Sequence, residues 1–193
     1  MMHIVRHGSG KRLLLSVGDD IAAPESFTVI AVTDVDWNRY LSPWPAPKVF
    51  AKGEDFGGLA DEFLEEMLKQ LQDVLQEDWE DRNIIGYSLA GLFALYACTK
   101  TDVFGGCASV SGSMWYPGFT DYLKEHPVHC RRVVLSLGDK EAKTKNPVMA
   151  AVADRTEEVR ALLSQYTDTQ FHWNPGNHFF EAEKRIERAL NLL

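Results

Sequence analysis

The sequence predicts an α/β fold, a mostly parallel central sheet of about six strands flanked by helices, and three observations lead there. Short β-branched or aliphatic runs alternate with longer amphipathic stretches, the pattern of parallel strands joined by crossover helices. The 193 residues fit one large domain, able to bury about 70% of the surface its unfolded form exposes. Hydrophobic residues make up 45% and charged residues 25%, ordinary globular usage that excludes a disordered or fibrous chain. No internal repeat, low-complexity tract or linker interrupts the sequence, so residues 1–193 are expected to form a single domain.

Residues 12–17 and 27–32 are the first two predicted strands, short runs dominated by Leu, Val and Ile. Residues 42–47, with three prolines, read as a rigid loop inside the domain. In residues 58–79, Leu59, Phe63, Leu64, Met67, Leu68, Leu71, Val74 and Leu75 recur at helical spacing with acids and Gln opposite, which predicts one long surface helix. Residues 82–87 form the third predicted strand. Residues 89–100 follow as a buried helix, whose Ala90, Gly91, Ala94 and Ala97 permit close packing on a sheet. Strands are predicted at 106–110 and 132–137. A helix over 147–166 is carried by Val148, Val152, Val159, Leu162 and Leu163, with Pro147 suited to its first position. A strand at 169–173 and a helix over 180–192 complete the expected order.

The formal net charge of −8, from 20 Lys plus Arg against 28 Asp plus Glu, repels phosphate backbones and argues against nucleic acid as a partner. No run approaches the roughly 18 apolar residues that span a bilayer, and residues 1–12 lack an apolar signal core; the expectation is a cytoplasmic protein with no membrane partner. Cys98, Cys107 and Cys130 are odd in number and lack metal-type spacing, which argues against a disulfide framework and a zinc site. They read as buried small hydrophobes. Neither a metal nor a cofactor is expected: Asp34 and Asp36 are alternate residues of an extended segment and point to opposite sides.

The chemistry concentrates in Asn83-Ile84-Ile85-Gly86-Tyr87-Ser88-Leu89-Ala90-Gly91. A serine at an abrupt strand-to-helix turn, with small residues two before and two after it, has the form of a nucleophile elbow. Here the pattern is G-x-S-x-A, Ala90 replacing the usual second glycine. The competing reading of Ser88 is an ordinary helix cap. A serine nucleophile needs a histidine base, and that base needs an acid to fix its tautomer. The chain offers both in the order serine, acid, histidine: Gly138-Asp139-Lys140-Glu141 follows one strand, and Pro175-Gly176-Asn177-His178-Phe179 follows the last. His178 therefore lies at a strand's carboxyl end, where ligand-binding loops gather. His3, His7, His126, His129 and His172 lack that combination of order and setting.

These segments, together with Asn38-Arg39-Tyr40-Leu41-Ser42-Pro43-Trp44 and Ser111-Gly112-Ser113-Met114-Trp115-Tyr116, resemble the putative-esterase branch of the α/β-hydrolases, which includes enterochelin-esterase-like and esterase-D-like proteins. The resemblance runs from about Lys11 to the C-terminus. It implies an α/β-hydrolase fold, shortened at its N-terminus and without a lid domain, and a serine hydrolase acting on carboxylic esters or related acyl bonds. It implies Ser88 as nucleophile, His178 as base and Glu141 as acid, with Asp139 the physical competitor. The backbone N–H of Leu89 is the expected first oxyanion donor, and that of Asp19, in the turn Val17-Gly18-Asp19-Asp20, the favoured second. Trp37, Tyr40 and Trp44 after one strand and Trp115 and Tyr116 after another suggest a partly apolar substrate pocket, with Trp44, Trp115 and Tyr116 its leading candidates; the expected partner is a small-molecule ester.

Two other functional classes compete. Val5-Arg6-His7-Gly8 resembles the Arg-His-Gly motif of histidine phosphatases, but no second His-Gly occurs in the chain. A hydrolase-like fold that only binds a ligand, or an acyltransferase using the same three residues, is the remaining alternative.

Overall fold

The computed structural model describes residues 2–49 and 51–193. Along the chain lie β1 (His3–Gly8), β2 (Arg12–Val17), β3 (Phe27–Thr33), α1 (Trp37–Tyr40), β4 (Pro45–Ala46), β5 (Phe56–Gly57), α2 (Ala60–Gln70) and α3 (Gln72–Leu75). Then follow β6 (Asp81–Tyr87), α4 (Leu89–Lys100), β7 (Gly106–Val110), α5 (Phe119–Glu125), β8 (Arg132–Gly138), α6 (Pro147–Ala150), α7 (Val152–Leu163), β9 (Asp168–Asn174) and α8 (Ala182–Leu190). Among the described residues, seven strands form one sheet in the order β1-β3-β2-β6-β7-β8-β9, and β4 pairs with β5 in a separate ribbon. Every neighbouring pair in the large sheet is parallel except β1 with β3.

Alternate strand residues face opposite sides, and both sides are apolar. Leu13, Leu15, Ile30, Ile84, Cys107 and Val133 join the cluster that also contains residues of α2, α4, α5 and α7. Leu14, Val29, Ile85, Ala108 and Val134 pack with Ala189 and Leu190 of α8 on the other side. Helix α4 has buried residues all round, from Leu89 to Thr99, so it needs the small side chains that the sequence supplies. The three cysteines are buried and free.

The register aligns the carboxyl ends of the strands: Val17 opposes Gly86, Tyr87 opposes Val110, and Gly138 opposes Asn174. Residues 18–19, 88, 111–113, 139–141 and 175–179 therefore leave the sheet along one edge. From β2 the sheet continues through β3 to β1, and from β6 through β7 and β8 to β9. The order reverses between β2 and β6, the place where open α/β sheets bind ligands.

Several elements differ from the sequence-based expectation, including the short α1, α5 and the ribbon of β4 and β5, which falls partly in the expected 42–47 loop. A seventh strand, β1, pairs antiparallel at the edge; His3, Arg6 and His7 are exposed on it, so it lacks the apolar run of a buried strand. The expected helix over 58–79 is divided at Leu71 and ends at Leu75. There the Trp79 indole N–H donates to the Val74 carbonyl and Arg82 Nε to the Leu75 carbonyl, so side chains satisfy the last turn while the backbone enters β6. The helix over 147–166 is likewise split at Ala151, and the last helix starts at Ala182 because Glu181 has a φ of 51°.

Candidate active site

Ser88 joins β6 to α4 with φ 58° and ψ −122°, a conformation that costs a non-glycine residue on the order of 1–3 kcal/mol. Its surroundings hold it there. Its N–H donates to the Val110 carbonyl at 3.0 Å, and its carbonyl accepts from Ser113 N at 3.0 Å and Leu92 N at 3.1 Å. A Cβ on Gly86 would lie 2.2 Å from the Ala90 oxygen, and one on Gly91 would lie 2.9 Å from both the Gly86 oxygen and Ser109 Oγ. The tight approach therefore falls on Gly86 and Gly91, while the Ala90 methyl fits, fully buried, at the position where a glycine was expected.

Ser88 Oγ lies 3.0 Å from His178 Nε2, and His178 Nδ1 lies 2.7 Å from Glu141 Oε2. An ionised carboxylate only accepts hydrogen bonds. Nδ1 therefore carries the proton and Nε2 is left free to accept from the serine hydroxyl. The Glu141 side chain is 4% exposed. Burial alone would push its carboxyl up, but the hydrogen bond and charge of His178, the Gly138 N–H and the Ser111 hydroxyl outweigh it and hold the group below its ordinary value. The Gly138 N–H donates to Oε1 at 2.8 Å. The Tyr87 hydroxyl donates to the His178 carbonyl at 2.5 Å, and its ring lies against the imidazole with centroids 5.3 Å apart.

Asp139 takes a different position. It is exposed, and its Oδ1 accepts from Gly176 N at 2.7 Å, while its own N–H donates to the Asn174 carbonyl. It ties the turn after β8 to the segment that carries His178, without reaching the imidazole.

A cavity of about 260 Å³ opens beside Ser88. Leu89, Trp115 and Phe56 form part of its wall, with Trp37 and Asn38 from α1, Met149 from α6 and Val152 from α7. Phe179, 86% exposed, stands at the cavity edge-on to His178. Of the five aromatic residues expected to shape a pocket, Trp37 and Trp115 line this cavity, and of the three leading candidates only Trp115 does. Tyr116 is buried, with its hydroxyl on the Trp44 carbonyl, and Trp44 Nε1 donates to the Pro117 carbonyl. Both are packed into the aromatic cluster with Phe119 and Tyr122 because their polar tips find backbone acceptors there.

Leu89 opens α4, where the first backbone N–H groups have no acceptor within the helix. Asp19 stands two residues beyond Val17, whose register partner is Gly86, so it lies next to the elbow. It borders a crevice of about 10 Å³ with Ile85, Gly86 and Tyr87, and is absent from the wall of the larger cavity. Trp37 stands on that side instead; its ring meets the space beside Gly18, whose φ is +93°.

The remaining histidines are dispersed. His7 lies on the exposed edge strand 2.8 Å from Asp20, while Arg6 pairs with Glu77. His126 stacks on Tyr122. His172 in β9 has both ring nitrogens buried without a hydrogen-bond partner. Burial, then the charge of Arg188, lowers its pKa. Asp36 caps α1 through Arg39 N. Among the described residues, no group of three or more His, Cys, Asp or Glu is placed to hold a metal ion, and no helix is long and apolar enough to cross a membrane.

Arg185 escaped sequence reasoning. It is 1% exposed on α8, and its Nη1 lies 2.6 Å from Glu141 Oε1. One signal was visible: Ala182, Arg185 and Ala189 share the i, i+3, i+7 stripe of an amphipathic helix, so an arginine stands where an apolar residue belongs. Ser111, with a φ of 47°, and Phe179 had no comparable mark.

A family model described as "Putative esterase" matches residues 5–185. The uncharacterized protein YbbA of Bacillus subtilis (strain 168) is 29% identical over 140 residues, covering 67% of this chain and 56% of that protein. The chain thus matches little more than half the length of that relative. Among solved structures, an IroE-like serine hydrolase from Shewanella oneidensis superposes with a TM-score of 0.75 at 11% identity, covering 100% of this chain and 79% of the other. The siderophore hydrolase EstA from Aspergillus nidulans gives 0.66 at 15% identity, covering 99% and 93%.

Proposed function

Because the chain belongs to the putative-esterase family and has the α/β-hydrolase fold, we propose that it hydrolyses carboxylic esters through an acyl-enzyme formed on Ser88. The observation that carries the reading is the unbroken chain of hydrogen bonds from Glu141 through His178 to Ser88, at 2.7 and 3.0 Å, beside an apolar cavity. Ser88 Oγ attacks the ester carbonyl carbon as His178 Nε2 takes its proton, and Glu141 stabilises the imidazolium. The oxyanion is met by the N–H of Leu89, which opens α4 beside the nucleophile. Collapse expels the alcohol, which takes the proton from Nε2. Water then repeats the sequence on the acyl-enzyme, yielding the carboxylic acid and free Ser88.

The wall of Trp37, Phe56, Leu89, Trp115, Met149 and Val152 carries no cationic side chain, so the acyl group it suits is neutral and apolar. Hydrolysis of p-nitrophenyl esters of graded chain length tests both statements. Turnover should favour acyl chains longer than acetyl, and Ser88→Ala should remove fluorophosphonate labelling and lower kcat by several orders of magnitude. Wild-type-like turnover by a folded Ser88→Ala protein would sink the proposal.

A further inference from the structure

Arg185 lies behind the reacting groups and outside the cavity wall. Among the described residues it heads the fully buried side chains by size, and a buried guanidinium is costly unless its charge and donors are matched. The match lies at the two terminal nitrogens, while the buried Nε has no hydrogen-bond partner. Nη1 donates to Glu141 Oε1 at 2.6 Å and to Ser111 Oγ at 2.9 Å. Nη2 donates to the carbonyls of Pro175 at 2.9 Å and Asn177 at 2.6 Å, in the segment immediately before His178. One planar fork thus holds the acid with one nitrogen and the base-bearing loop with the other. The two oxygens of Glu141 are divided: Oε1 takes Arg185 and the Gly138 N–H, and Oε2 takes His178.

An arginine serving only to anchor the loop would need the two carbonyls and nothing more. Occupying Oε1 does something further, because, together with the Gly138 N–H, it fixes the rotation of the carboxylate and leaves Oε2 facing Nδ1. Resting on the assignment of Ser88, Glu141 and His178 as the reacting groups, we propose that Arg185 is a positioning residue for ester hydrolysis, setting Glu141 and His178 in mutual register without touching substrate. Lysine keeps the charge but lacks the planar fork, so it cannot serve both sets of acceptors at once.

The test is a double-mutant cycle of Arg185→Met with Glu141→Gln, with Arg185→Lys alongside, read by steady-state kinetics on p-nitrophenyl butyrate and by melting curves. Arg185→Met should lower kcat by about 10²-fold, the order of loss that an ångström of misplacement produces, while KM stays within about twofold. Arg185→Lys should recover part of that loss and not all of it. In the Glu141→Gln background, Arg185→Met should cost no more than about threefold, since the group it positions is already disabled. Equal losses in both backgrounds, or a raised KM with unchanged kcat, would overturn the proposal. If Arg185→Met does not fold, Arg185→Lys carries the test, and wild-type kcat in that variant overturns it. Turnover by a folded Ser88→Ala protein removes the underlying assignment and the proposal together. Loss of turnover in Ser88→Ala with additive Arg185 effects leaves the assignment standing and removes only the positioning role.

Discussion

Glu141 and Asp139 leave the same turn two residues apart, yet their carboxylates serve different partners: one the imidazole, the other the backbone of Gly176. Glu141→Gln should keep the fold and lower kcat by about 10²–10⁴-fold, because an amide cannot stabilise the imidazolium and permits the wrong tautomer. Asp139→Asn should leave turnover nearly intact and cost about 1 kcal/mol of stability, its amide oxygen still accepting from Gly176 N. Parallel ester kinetics and melting curves of the two variants check this; catalytic collapse in Asp139→Asn with an active Glu141→Gln would reverse the acid assignment. At this scale Ser88, the two carboxylates and His178 were legible because each follows a strand in a fixed order. Arg185 was not, since its meaning comes from what α8 packs against rather than from its neighbours in sequence. Trp44 and Tyr116 misled for the same reason: an aromatic after a strand serves a core as readily as a pocket.

The elbow is an element as much as a residue, and its geometry depends on what β6 and α4 can tolerate between them. Gly86→Ala should destabilise the protein by about 1–3 kcal/mol or more, since the added methyl meets backbone atoms of Ala90 that have no room to yield. Ala90→Gly should cost about 1 kcal/mol or less, the ordinary helix penalty. Urea unfolding of both variants distinguishes them, and equal midpoints would mean that the elbow relaxes freely. Strands β2, β3 and β6 to β9 were visible as short β-branched or aliphatic runs, and their ends shifted by a residue at most, whereas the ribbon of β4 and β5, two residues each, lies partly in what read as a loop. Edge strand β1 was hidden because its exposed positions carry His3, Arg6 and His7. The breaks at Leu71 and Ala151 were hidden because apolar periodicity continues across both while the backbone does not.

For the whole molecule, two partly or wholly buried groups contribute to the acid side of the stability profile. His172 has a depressed pKa in the fold, so below about pH 6.5 the unfolded chain binds a proton that the folded one refuses, and stability falls with pH. Glu141 is also depressed; its contribution is present above the ordinary carboxylate value of about 4.3 and is lost as pH falls through its lower folded value. Urea midpoints should therefore decline in two stages on acidification. His172→Leu should flatten the upper stage and Glu141→Gln should reduce the lower one; an unchanged upper stage in His172→Leu would remove His172 as its source. The α/β class and the gathering of loops at one sheet edge were readable from the alternation of runs, whereas the reversal of order between β2 and β6 is set by long-range pairing. Ser88, Glu141 and His178 hang from the ends of β6, β8 and β9, and they meet only when those strands stand side by side. On the proposed role of Ser88, its reactivity should be a built-in reporter of cooperative folding, silent in any partly assembled chain and restored only with the sheet.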